Sequence, residues 1–522
     1  MKHNTILHCI VLHIVYFITI TMKTIYLYIL ILFSYNLHSQ REDANWLVGY
    51  DNGVGGYYGI SNISFDTILQ SIPIMDTISS PIAFRQNNAI ISDKIGNILF
   101  YTNGVVVMNK ANDTMQNGNG LSPCSYTYQY EDDGLSNIQG SLILPAPTQD
   151  NLYYLFHETI FITGEPYADN FLYSIVDING DNGKGTVIQK NVPILSNKQL
   201  SIGKITACKH ANGKDWWIIK PDFYADKYYK FLLQSDGLHG PYIQSFNDTS
   251  MYVISNGPDQ SGFTPDGSKY IHSCGWAREK VFIFDFDRCT GELSYKEYLK
   301  TQGLKGQYDL ACAMFSPNSR LMYLSTGMDL YQYDLYDISI TSSKQHIAEY
   351  DSFYSPTPIC KTTFFMGVTA PNGKIYLSTT NSANKLHVIN FPDSAGIACD
   401  FQQHAIQLPK IMAFGLPNFP NYHLGVLSGS ACDTITNEQS AVNSEQVKVY
   451  PNPAKDRLYL EIPPEIRGEC IFTLLSPQGQ PILRKNIQKQ AETIFVKELA
   501  KGMYLYRLET SKGNYYGKVF IE

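Results

Sequence analysis

Two groups of carboxylates are the residues best able to perform acid–base chemistry. Glu131, Asp132 and Asp133 are consecutive, and Asp285 and Asp287 stand two residues apart. A glycoside hydrolase needs two such groups on either side of one glycosidic bond. On a β-strand, Asp285 and Asp287 face the same side, but similar D-x-D and Y-x-D strand endings recur along the chain. We therefore favour a repeated strand-end turn over an acid–base pair.

Familiar metal-ligating and nucleophilic patterns do not occur in the sequence. The histidines that follow residue 40 show neither HExxH nor another metal-ligand spacing, and no G-x-S-x-G turn is present. The segment Asp177–Gly183 resembles a calcium loop, but its glycine falls one place late and position twelve is Ile188 rather than Glu, so we predict a plain hairpin turn. We predict no catalytic residue, no metal site and no cofactor.

Tryptophans are the best candidates for contact with a ligand. Trp216 and Trp217 adjoin, so on a strand one faces each side and at least one belongs to the core. Trp276, together with Arg278, follows the end of a strand and is our candidate binding pair. Flat aromatic rings near loop tips suit recognition of sugars or proteins.

The elements that position these residues form a repeat. Six segments place a tight turn between a short strand and an aromatic-rich strand, and each continues into one or two further strands. The turns are marked, at intervals of 52 to 62 residues, by Gly96, Asn151, Gly213, Gly267, Ser319 and Gly373. Strands turned by D-G or N-G pairs at this period are the β-propeller pattern. We predict an all-β protein whose main part, 41–432, is a β-propeller.

The six repeats leave Trp46–Asp66 and Phe414–Leu427 unassigned, although both contain strand-like stretches. A propeller protects its edges when strands from both termini join one blade. We therefore expect Tyr58–Asp66 to pair with Asn421–Leu427 in one closing blade. This predicts seven blades, with six as the alternative.

The end of the chain, 446–522, has the pattern of a second, smaller domain. Short strands of alternating apolar and polar residues are separated by Gly, Pro and Asn turns, as in an Ig-like antiparallel β-sandwich. Pro451 and Pro453 each fix φ and lack an N–H donor, which makes a rigid extended entry. The polar stretch 433–445 is predicted to be the linker.

These C-terminal residues carry a close resemblance. The segment resembles, in order along its whole length, the type A C-terminal sorting domain of the type IX secretion system of Bacteroidetes. The matching positions are Tyr450, Pro451, Asn452, Pro453, Gly479, Gly502, Tyr504 and Lys518. The resemblance implies export across the outer membrane by the type IX machinery, followed by surface attachment or release.

The propeller region carries a second resemblance. Gly96–Gly104 reads GNILFYTNG and Leu416–Tyr422 reads LPNFPNY. The region is similar to a family of secreted Bacteroidetes propellers that share these signatures and for which no settled activity is implied. Its [FS]-x-P-[DN]-[GS] turns resemble those of WD-repeat-like and lactonase-like propellers.

The N-terminal region, 1–40, reads as a signal peptide. An apolar run from Ile25 to Phe33 follows Met22 and Lys23, so Met22 is a candidate true start and cleavage is expected near Ser39. An uncleaved anchor through this run and an earlier apolar run is the alternative. No later stretch approaches the roughly 20 apolar residues of a membrane span.

Charge and cysteine usage narrow the class of protein. The formal net charge is −7, and the C-terminal domain is net basic, so the propeller region is more acidic still. Nucleic acid is therefore excluded as a partner, because phosphate binding requires a basic patch. Apart from Cys9 and Cys470, the cysteines are spread from Cys124 to Cys432, too thinly for a disulfide framework, and their pairing stays open.

Two functions remain. One is a surface or secreted propeller that binds an extracellular protein or glycan; the other is a polysaccharide hydrolase or lyase with carboxylates at the propeller channel. Because no catalytic signature is present, we favour binding. A cluster of carboxylates with His or Arg at the channel mouth would favour the enzyme, and an exposed aromatic face would favour binding.

Overall fold

The computed structural model describes residues 41–50, 56–65, 72–274, 280–300, 310–356, 359–430, 432, 448–462, 470–475, 481–487, 489–497, 499, 501–510 and 513–522. The chain forms two compact units that divide after residue 433. Both consist almost wholly of antiparallel strands, as expected of aromatic and β-branched residues alternating with polar ones. The all-β prediction is confirmed.

The strands of the first unit form successive antiparallel sheets. Sheet 1 contains β1 (Asn45–Tyr50), β2 (Gly59–Ser64) and β3 (Ile74–Ile78). Sheet 2 contains β4 (Ala89–Ser92), β5 (Ile98–Thr102), β6 (Val106–Asn109) and β7 (Thr114–Asn119). Sheet 3 contains β8 (Leu142–Pro145), β9 (Leu152–Phe161), β10 (Tyr167–Asp177) and β11 (Thr186–Leu195), and a parallel bridge between Thr186 and Gln116 joins β11 to β7 of sheet 2. Sheet 4 contains β12 (Thr206–Lys209), β13 (Trp216–Pro221), β14 (Lys227–Gln234) and β15 (Gly237–Ser245).

The later sheets repeat the same order. Sheet 5 contains β16 (Gly262–Phe263), β17 (Lys269–Cys274), β18 (Lys280–Phe286) and β19 (Leu293–Lys300). Sheet 6 contains β20 (Cys312–Phe315), β21 (Leu321–Ser325), β22 (Asp329–Asp334) and β23 (Gln345–Glu349). A small hairpin, β24 (Tyr354–Pro356) and β25 (Ile359–Lys361), precedes sheet 7, which contains β26 (Phe364–Thr369), β27 (Ile375–Thr379), β28 (Ala383–Ile389) and β29 (Phe401–Met412).

The six predicted turn marks all lie between the first and second strands of sheets 2 to 7. Gly213 shows why the backbone there needs a special residue. Its φ is 72°, and a Cβ atom at this position would lie 2.7 Å from the backbone nitrogen of Val426. Four antiparallel strands paired in chain order are the pattern of a β-propeller blade.

The hydrophobic core lies between consecutive sheets. Ile271 and Ile283 of sheet 5 pack with Met322 and Leu324 of sheet 6. The ring closes between sheets 7 and 1, where the rings of Trp46 and Tyr376 lie 5.9 Å apart. Burial of apolar surface between each pair of sheets is what holds the propeller closed.

The predicted closing pair of segments is wrong. Strand β2 pairs with β1 and β3, and the residues before and within it contact the end of β29, where Ile411 donates from its backbone to Tyr57. The segment 421–427 contains no strand, and the Leu427 amide donates to Ala211 of sheet 4 instead.

The second unit contains two antiparallel sheets around one core. One sheet contains β30 (Lys448–Tyr450), β31 (Arg457–Glu461) and β34 (Ala491–Phe495). The other contains β33 (Pro481–Ile487), β32 (Cys470–Leu475), β35 (Gly502–Thr510) and β36 (Gly513–Ile521). Leu458 and Ile494 of the first sheet pack with Phe472 and Leu508 of the second.

Few of the described residues lie in helices. The helices are α1 (Ser125–Gln129), the single turn α2 (Gly180–Gly183), in which Asp181 and Asn182 have positive φ, and the 3-10 turns η1 (Ile340–Ser343) and η2 (Gly396–Cys399). Within the described ranges, no helix has the length and apolar character that crossing a membrane requires.

Candidate functional site

The propeller has two faces that the strand order defines. Because the strands are antiparallel, connections from first to second and from third to fourth strands lie on one face, which we call the first face. Connections from second to third strands, and those between sheets, lie on the opposite second face. Each face gathers side chains from distant parts of the sequence.

A segment that we call the plug, residues 415–427, passes between the faces along the propeller axis. Asn418 lies at its centre and is 6% exposed. Its backbone amide donates to the carbonyl of Asn88 at 2.9 Å, and its side-chain amide donates to the carbonyls of Ser141 and Ile205, both at 3.0 Å. These three carbonyls directly precede the first strands of sheets 2, 3 and 4. The plug therefore crosslinks the innermost strands.

The plug continues to the first face. Tyr422 donates from its hydroxyl to the carbonyl of Ile143 at 2.8 Å, and Asn421 donates to the carbonyl of Pro265 at 2.6 Å. The Arg288 guanidinium donates to the carbonyl of Gly425 at 2.5 Å. A disulfide between Cys289 and Cys432 fixes the chain just beyond the plug. The plug thus fills the centre of the propeller that an open channel would occupy.

Plug residues form one wall of a cavity that opens on the first face. The cavity has a volume of about 410 Å³ and lies beside the first strands of sheets 5, 6 and 7. Its lining includes the apolar residues Phe263, Met314 and Met366 and the polar residues Thr264 and Asn421. A cavity of this size suits a small ligand.

Glu42 lies in a second cavity, of about 610 Å³, on the other side of the plug. The side chain is 7% exposed, and its Oε2 atom has no hydrogen-bond partner among the described residues. Burial raises the pKa of this carboxyl above its usual value, although a hydrogen bond from its own backbone and the charge of His423 act in the opposite direction. We call this cavity the Glu42 pocket.

Aromatic side chains and Lys209 surround Glu42. Lys209 Nζ lies 4.9 Å from the centre of the Trp216 ring and donates to the Gly213 carbonyl at 3.2 Å. Burial raises the pKa of Tyr153 to about 12, and the charge of Glu42 adds to this effect. Both aromatic residues line the Glu42 pocket.

Asp43 and His423 form an ion pair at the edge of the plug. The Nε2 atom of His423 lies 3.2 Å from Oδ1 of Asp43. Burial alone would lower the pKa of His423, but its hydrogen bond to Asp43 and the charges of Asp43 and Glu42 raise that pKa above the usual value. On the first face, Asp43 and His423 thus lie on one side of the plug and Glu42 on the other.

The second face carries a different feature, five aromatic residues in mutual contact. We call them the aromatic row, with consecutive ring centres 5.2, 6.2, 5.0 and 4.5 Å apart: Phe161, Tyr167, Phe223, Tyr224 and Tyr252. The last two rings are stacked with an interplanar angle of 10°. Phe161 and Tyr252 are 40% and 56% exposed. The row crosses from sheet 3 past sheet 4 to the loop that leads into sheet 5.

Hydrogen bonds and a buried ion pair hold the loops around the row. Backbone amides of Val253 and Ser255 donate to the carbonyls of Tyr224 and Phe223 at 3.0 and 2.7 Å. Nearby, Lys220 Nζ lies 2.5 Å from Oε2 of Glu158, with both side chains wholly buried. Burial lowers the pKa of Lys220, and the charge of Glu158 opposes that shift. The row is a preorganised surface.

The second unit has a site of its own between its first two strands, β30 and β31. The Asn452 side chain accepts a hydrogen bond from the Phe520 amide at 2.8 Å, and the Ala454 amide donates to the Phe520 carbonyl at 2.7 Å. The proline-rich entry is thereby tied to the terminal strand. The family model for the secretion system C-terminal sorting domain matches residues 448–522. The second unit is a type IX secretion sorting domain.

The sorting domain confirms the predicted localisation: the protein is secreted to the cell surface or to the outside of the cell. Tyr450 ends β30, Gly502 opens β35 and Tyr504 is buried in its core. Lys518 lies on β36, and Gly479 lies outside the described residues.

Solved structures similar to the chain include two bacterial proteins. The periplasmic gluconolactonase of Pseudomonas aeruginosa is 11% identical, with a TM-score of 0.38 over 72% of this chain and 99% of that one. A functionally unknown protein from Desulfotomaculum acetoxidans is 12% identical, with a TM-score of 0.36 over 72% of this chain and all of that one. No curated protein sequence matches the chain. At these TM-scores the similarities do not bear on function.

The carboxylates singled out from the sequence are not brought together. Asp285 pairs with Lys269 at 2.5 Å, and Asp287 accepts the backbone N–H groups of Cys289 and Thr290 in a turn. Asp133 of the exposed acidic run pairs with Arg85 at 3.3 Å. The strand-end interpretation accounts for Asp285 and Asp287.

Both adjoining tryptophans are core residues. Trp216 and Trp217 are buried in different hydrophobic clusters, as expected of neighbours on one strand. Trp276 and Arg278 lie outside the described residues. By chain order they belong to the connection between the second and third strands of sheet 5. Phe161 to Tyr167 and Phe223 to Tyr224 belong to the same connection in sheets 3 and 4.

The calcium-like segment is a turn between β10 and β11. Asp177 accepts from the Asn179 backbone amide at 3.0 Å and from the Asn151 side chain at 2.9 Å. His210, Cys289 and Cys432 place potential ligand atoms within 4.8 Å of one another. However, the two sulfurs are bonded to each other, and His210 donates through Nε2 to Cys289 and accepts through Nδ1 from Asn212. These groups are structural.

Proposed function

We propose that this protein is a secreted or cell-surface binding protein whose propeller binds an extracellular glycan through the aromatic row. The observation that carries the proposal is the stacked and partly exposed pair Tyr224 and Tyr252, held within a fixed row. Flat aromatic faces cover the apolar faces of sugar rings, and tyrosine hydroxyls supply hydrogen bonds beside them. A row that spans two blades suits a chain of sugars.

A glycan fits the row better than a protein partner does. The row has polar neighbours, since the Asn256 side chain bonds to the Pro166 carbonyl at 2.5 Å and the charges of Asp222 and Asp226 act on Tyr252. A protein interface would require a larger apolar centre. Trp276 and Arg278 remain candidate binding residues, because their connection is equivalent to those that carry the row.

The test is a glycan array probed with the purified protein and with Tyr224→Ala and Tyr252→Ala variants. Each substitution should weaken glycan binding by roughly ten-fold, because each removes a stacking ring worth about 1–2 kcal/mol. Tyr128→Ala is the matched control, since Tyr128 is 65% exposed outside the row. Capture of extracellular proteins instead of glycans by the same rings would contradict the proposal.

The sorting domain delivers the propeller, and we infer that the type IX machinery is its partner. Deletion of 446–522 should leave the protein in the periplasm with the propeller folded, because the two units have separate cores. Fractionation of cells with antibody detection measures this. Surface delivery of the truncated protein would contradict it.

We further infer that the propeller has seven blades and that the sorting domain is an Ig-like sandwich. Sheets 1 to 7 in chain order support the first inference, and two sheets around one core support the second. The proposed domains are a signal peptide at 1–40, the propeller at 41–432, a linker at 433–445 and the sorting domain at 446–522.

Cleavage of a polysaccharide, either by hydrolysis or by a lyase reaction, is the second candidate function. Asp43 and His423 line the first cavity and Glu42 lines the pocket on the other side of the plug, so carboxylates and a histidine lie beside the plug on the first face, which favours this candidate. We rank it second because Asp43 is held in an ion pair with His423. Release of reducing sugar or unsaturated products by the purified protein, abolished in Asp43→Asn, would favour this candidate.

A further inference from the structure

The three connections at the aromatic row contain acidic residues and no basic ones. These connections are 162–166, 222–226 and 246–261, and none of them contains Lys, Arg or His. They contain five acidic residues: Glu165, Asp222, Asp226, Asp248 and Asp259. The polypeptide that surrounds the exposed rings is therefore negatively charged.

Asp226 lies beside the stacked pair of rings. It follows Tyr224 by two residues, and its backbone carbonyl accepts the Phe246 amide at 2.8 Å, at the start of the connection that carries Tyr252. Partial burial, a hydrogen bond to Tyr224 and the charge of Asp226 all raise the pKa of the Tyr252 hydroxyl. The Asp226 carboxylate is thus close to both rings.

Three of the carboxylates are accessible and have no cation of their own. Glu165 and Asp248 are exposed and Asp226 is half-buried, whereas Asp222 and Asp259 are buried. In the described part of the chain, the three accessible carboxylates form no ion pair with Lys, Arg or His. A cationic group of a ligand could therefore approach them.

Lysines in the neighbouring segments do not neutralise these carboxylates. Lys280 donates from Nζ to a backbone carbonyl of the third connection at 2.6 Å. Burial raises the pKa of Asp222, and the charge of Lys227 opposes that shift, so Lys227 lies toward the buried carboxyl. Lys198 is exposed on the loop that precedes sheet 4. Among the described residues, none of these lysines forms an ion pair with Asp226.

We propose that the aromatic row selects glycans that carry free amino groups, such as polymers of unacetylated 2-amino sugars. The apolar face of each sugar stacks on a ring, and the ammonium groups lie beside Asp226, Glu165 and Asp248. An ammonium group is also attracted by the face of a tyrosine ring. The same carboxylates repel glycans that carry carboxylate or sulfate groups. This selectivity rests on the glycan binding proposed above and adds the charge of the ligand.

Three β-1,4-linked hexamers test the selectivity by isothermal titration calorimetry on the purified protein, in a slightly acidic buffer that protonates sugar amines. They are the hexamers of glucosamine, N-acetylglucosamine and glucuronate, which differ in charge. The glucosamine hexamer should bind roughly ten-fold more tightly than the N-acetylglucosamine hexamer, and the glucuronate hexamer should bind most weakly. Equal or weaker binding of the glucosamine hexamer overturns the proposal. Hexalysine binding as tight as that of the glucosamine hexamer overturns it as well, because charge without a sugar would then suffice.

Failure of the selectivity can be distinguished from failure of the proposed function. The absence of binding to any glycan on the array contradicts both. Binding of neutral or acidic glycans that is lost in Tyr224→Ala, without a preference for amino sugars, overturns the selectivity alone.

Substitution of one carboxylate provides the second test. Asp226→Asn keeps the size of the side chain and removes its charge. It should weaken binding of the glucosamine hexamer by roughly five-fold, as expected for one exposed ion pair, and leave binding of the N-acetylglucosamine hexamer unchanged. Asp76→Asn is the matched control, since Asp76 is exposed on β3 of sheet 1. Unchanged affinity in Asp226→Asn overturns the proposal, and Glu165→Gln gives the same comparison should that variant not fold.

Discussion

Lys220 donates from Nζ to Oε2 of Glu158 at 2.5 Å, and neither side chain reaches solvent. Lys220 also donates to the backbone carbonyls of Ser201 and Gly203, both at 2.6 Å. Glu158 accepts in turn from the Asn137 side chain at 2.8 Å and the Gly203 amide at 2.7 Å. The pair thus joins β9 and β13 to the loops that precede the first strands of sheets 3 and 4.

Lys220→Met should destabilise the propeller strongly. The substitution leaves a buried carboxylate without its cation, which costs about 3–5 kcal/mol. Chemical denaturation measures the free energy of unfolding. Lys94→Met is the control, because Lys94 pairs with Asp150 on the exposed surface and should contribute under about 1 kcal/mol. Equal losses in the two variants would contradict this account.

Asn418→Ala should loosen the plug. The variant leaves the carbonyls of Ser141 and Ile205 without their buried donor, at a cost of about 2–4 kcal/mol. Hydrogen exchange should rise at the first strands of sheets 3 and 4, where the partners of the Asn418 side chain lie. Asn247→Ala, at an exposed position, should leave exchange unchanged. Protection that stays equal in both variants would show that the plug does not hold these strands.

The disulfide should stabilise the propeller by closing a long loop. Cys289 and Cys432 are 143 residues apart, and a crosslink over such a loop contributes about 2–5 kcal/mol through the unfolded chain. The double variant Cys289→Ser with Cys432→Ser should therefore unfold at a lower temperature. Reductant should lower the melting temperature of the unaltered protein and should not change the melting temperature of the double variant. A melting temperature independent of reductant in both proteins would rule out this contribution.

Stability should fall in acid because of buried histidines. Burial lowers the pKa of His157, held between Ser122 and Ser174, to about 3. The His157 imidazole therefore stays neutral in the folded state, whereas in the unfolded chain it is protonated below its usual pKa of about 6.5. The contribution of His157 to the free energy of unfolding is therefore complete above pH 6.5. It declines as the pH falls toward 3, by about 1.4 kcal/mol per pH unit. Measured in denaturant, the decline should be shallower in His157→Asn and unchanged in His239→Asn.

Most of the fold was predictable because each repeat contains turn residues that can be recognised from the local sequence. The six marks from Gly96 to Gly373 need only a tight turn between two apolar strands, and the structure has such a turn at each one. The plug was assigned wrongly as a strand. The predicted strand, 421–427, instead bonds to other parts of the propeller, as the Leu427 amide does to Ala211. Those contacts are distant in sequence, so the local pattern of residues does not show them.

The candidate sites were less predictable because their residues meet only in the folded chain. Phe161 and Tyr252 of the aromatic row are far apart in sequence, although alignment of the repeats would place Phe161 and Tyr224 at equivalent connections. Glu42 carries no local signal at all. Its burial depends on packing against sheets 2 to 4 and the plug, and no single segment encodes that arrangement.

Titration of the strongest glycan from the array is the most direct test of the proposed function. The account predicts that Tyr224→Ala and Tyr252→Ala each raise the dissociation constant by roughly ten-fold, since each removes about 1–2 kcal/mol of stacking. It also predicts that Tyr128→Ala and Glu42→Gln leave that constant unchanged. A dissociation constant that is unaltered when both rings of the stacked pair are removed together would contradict glycan binding by the aromatic row.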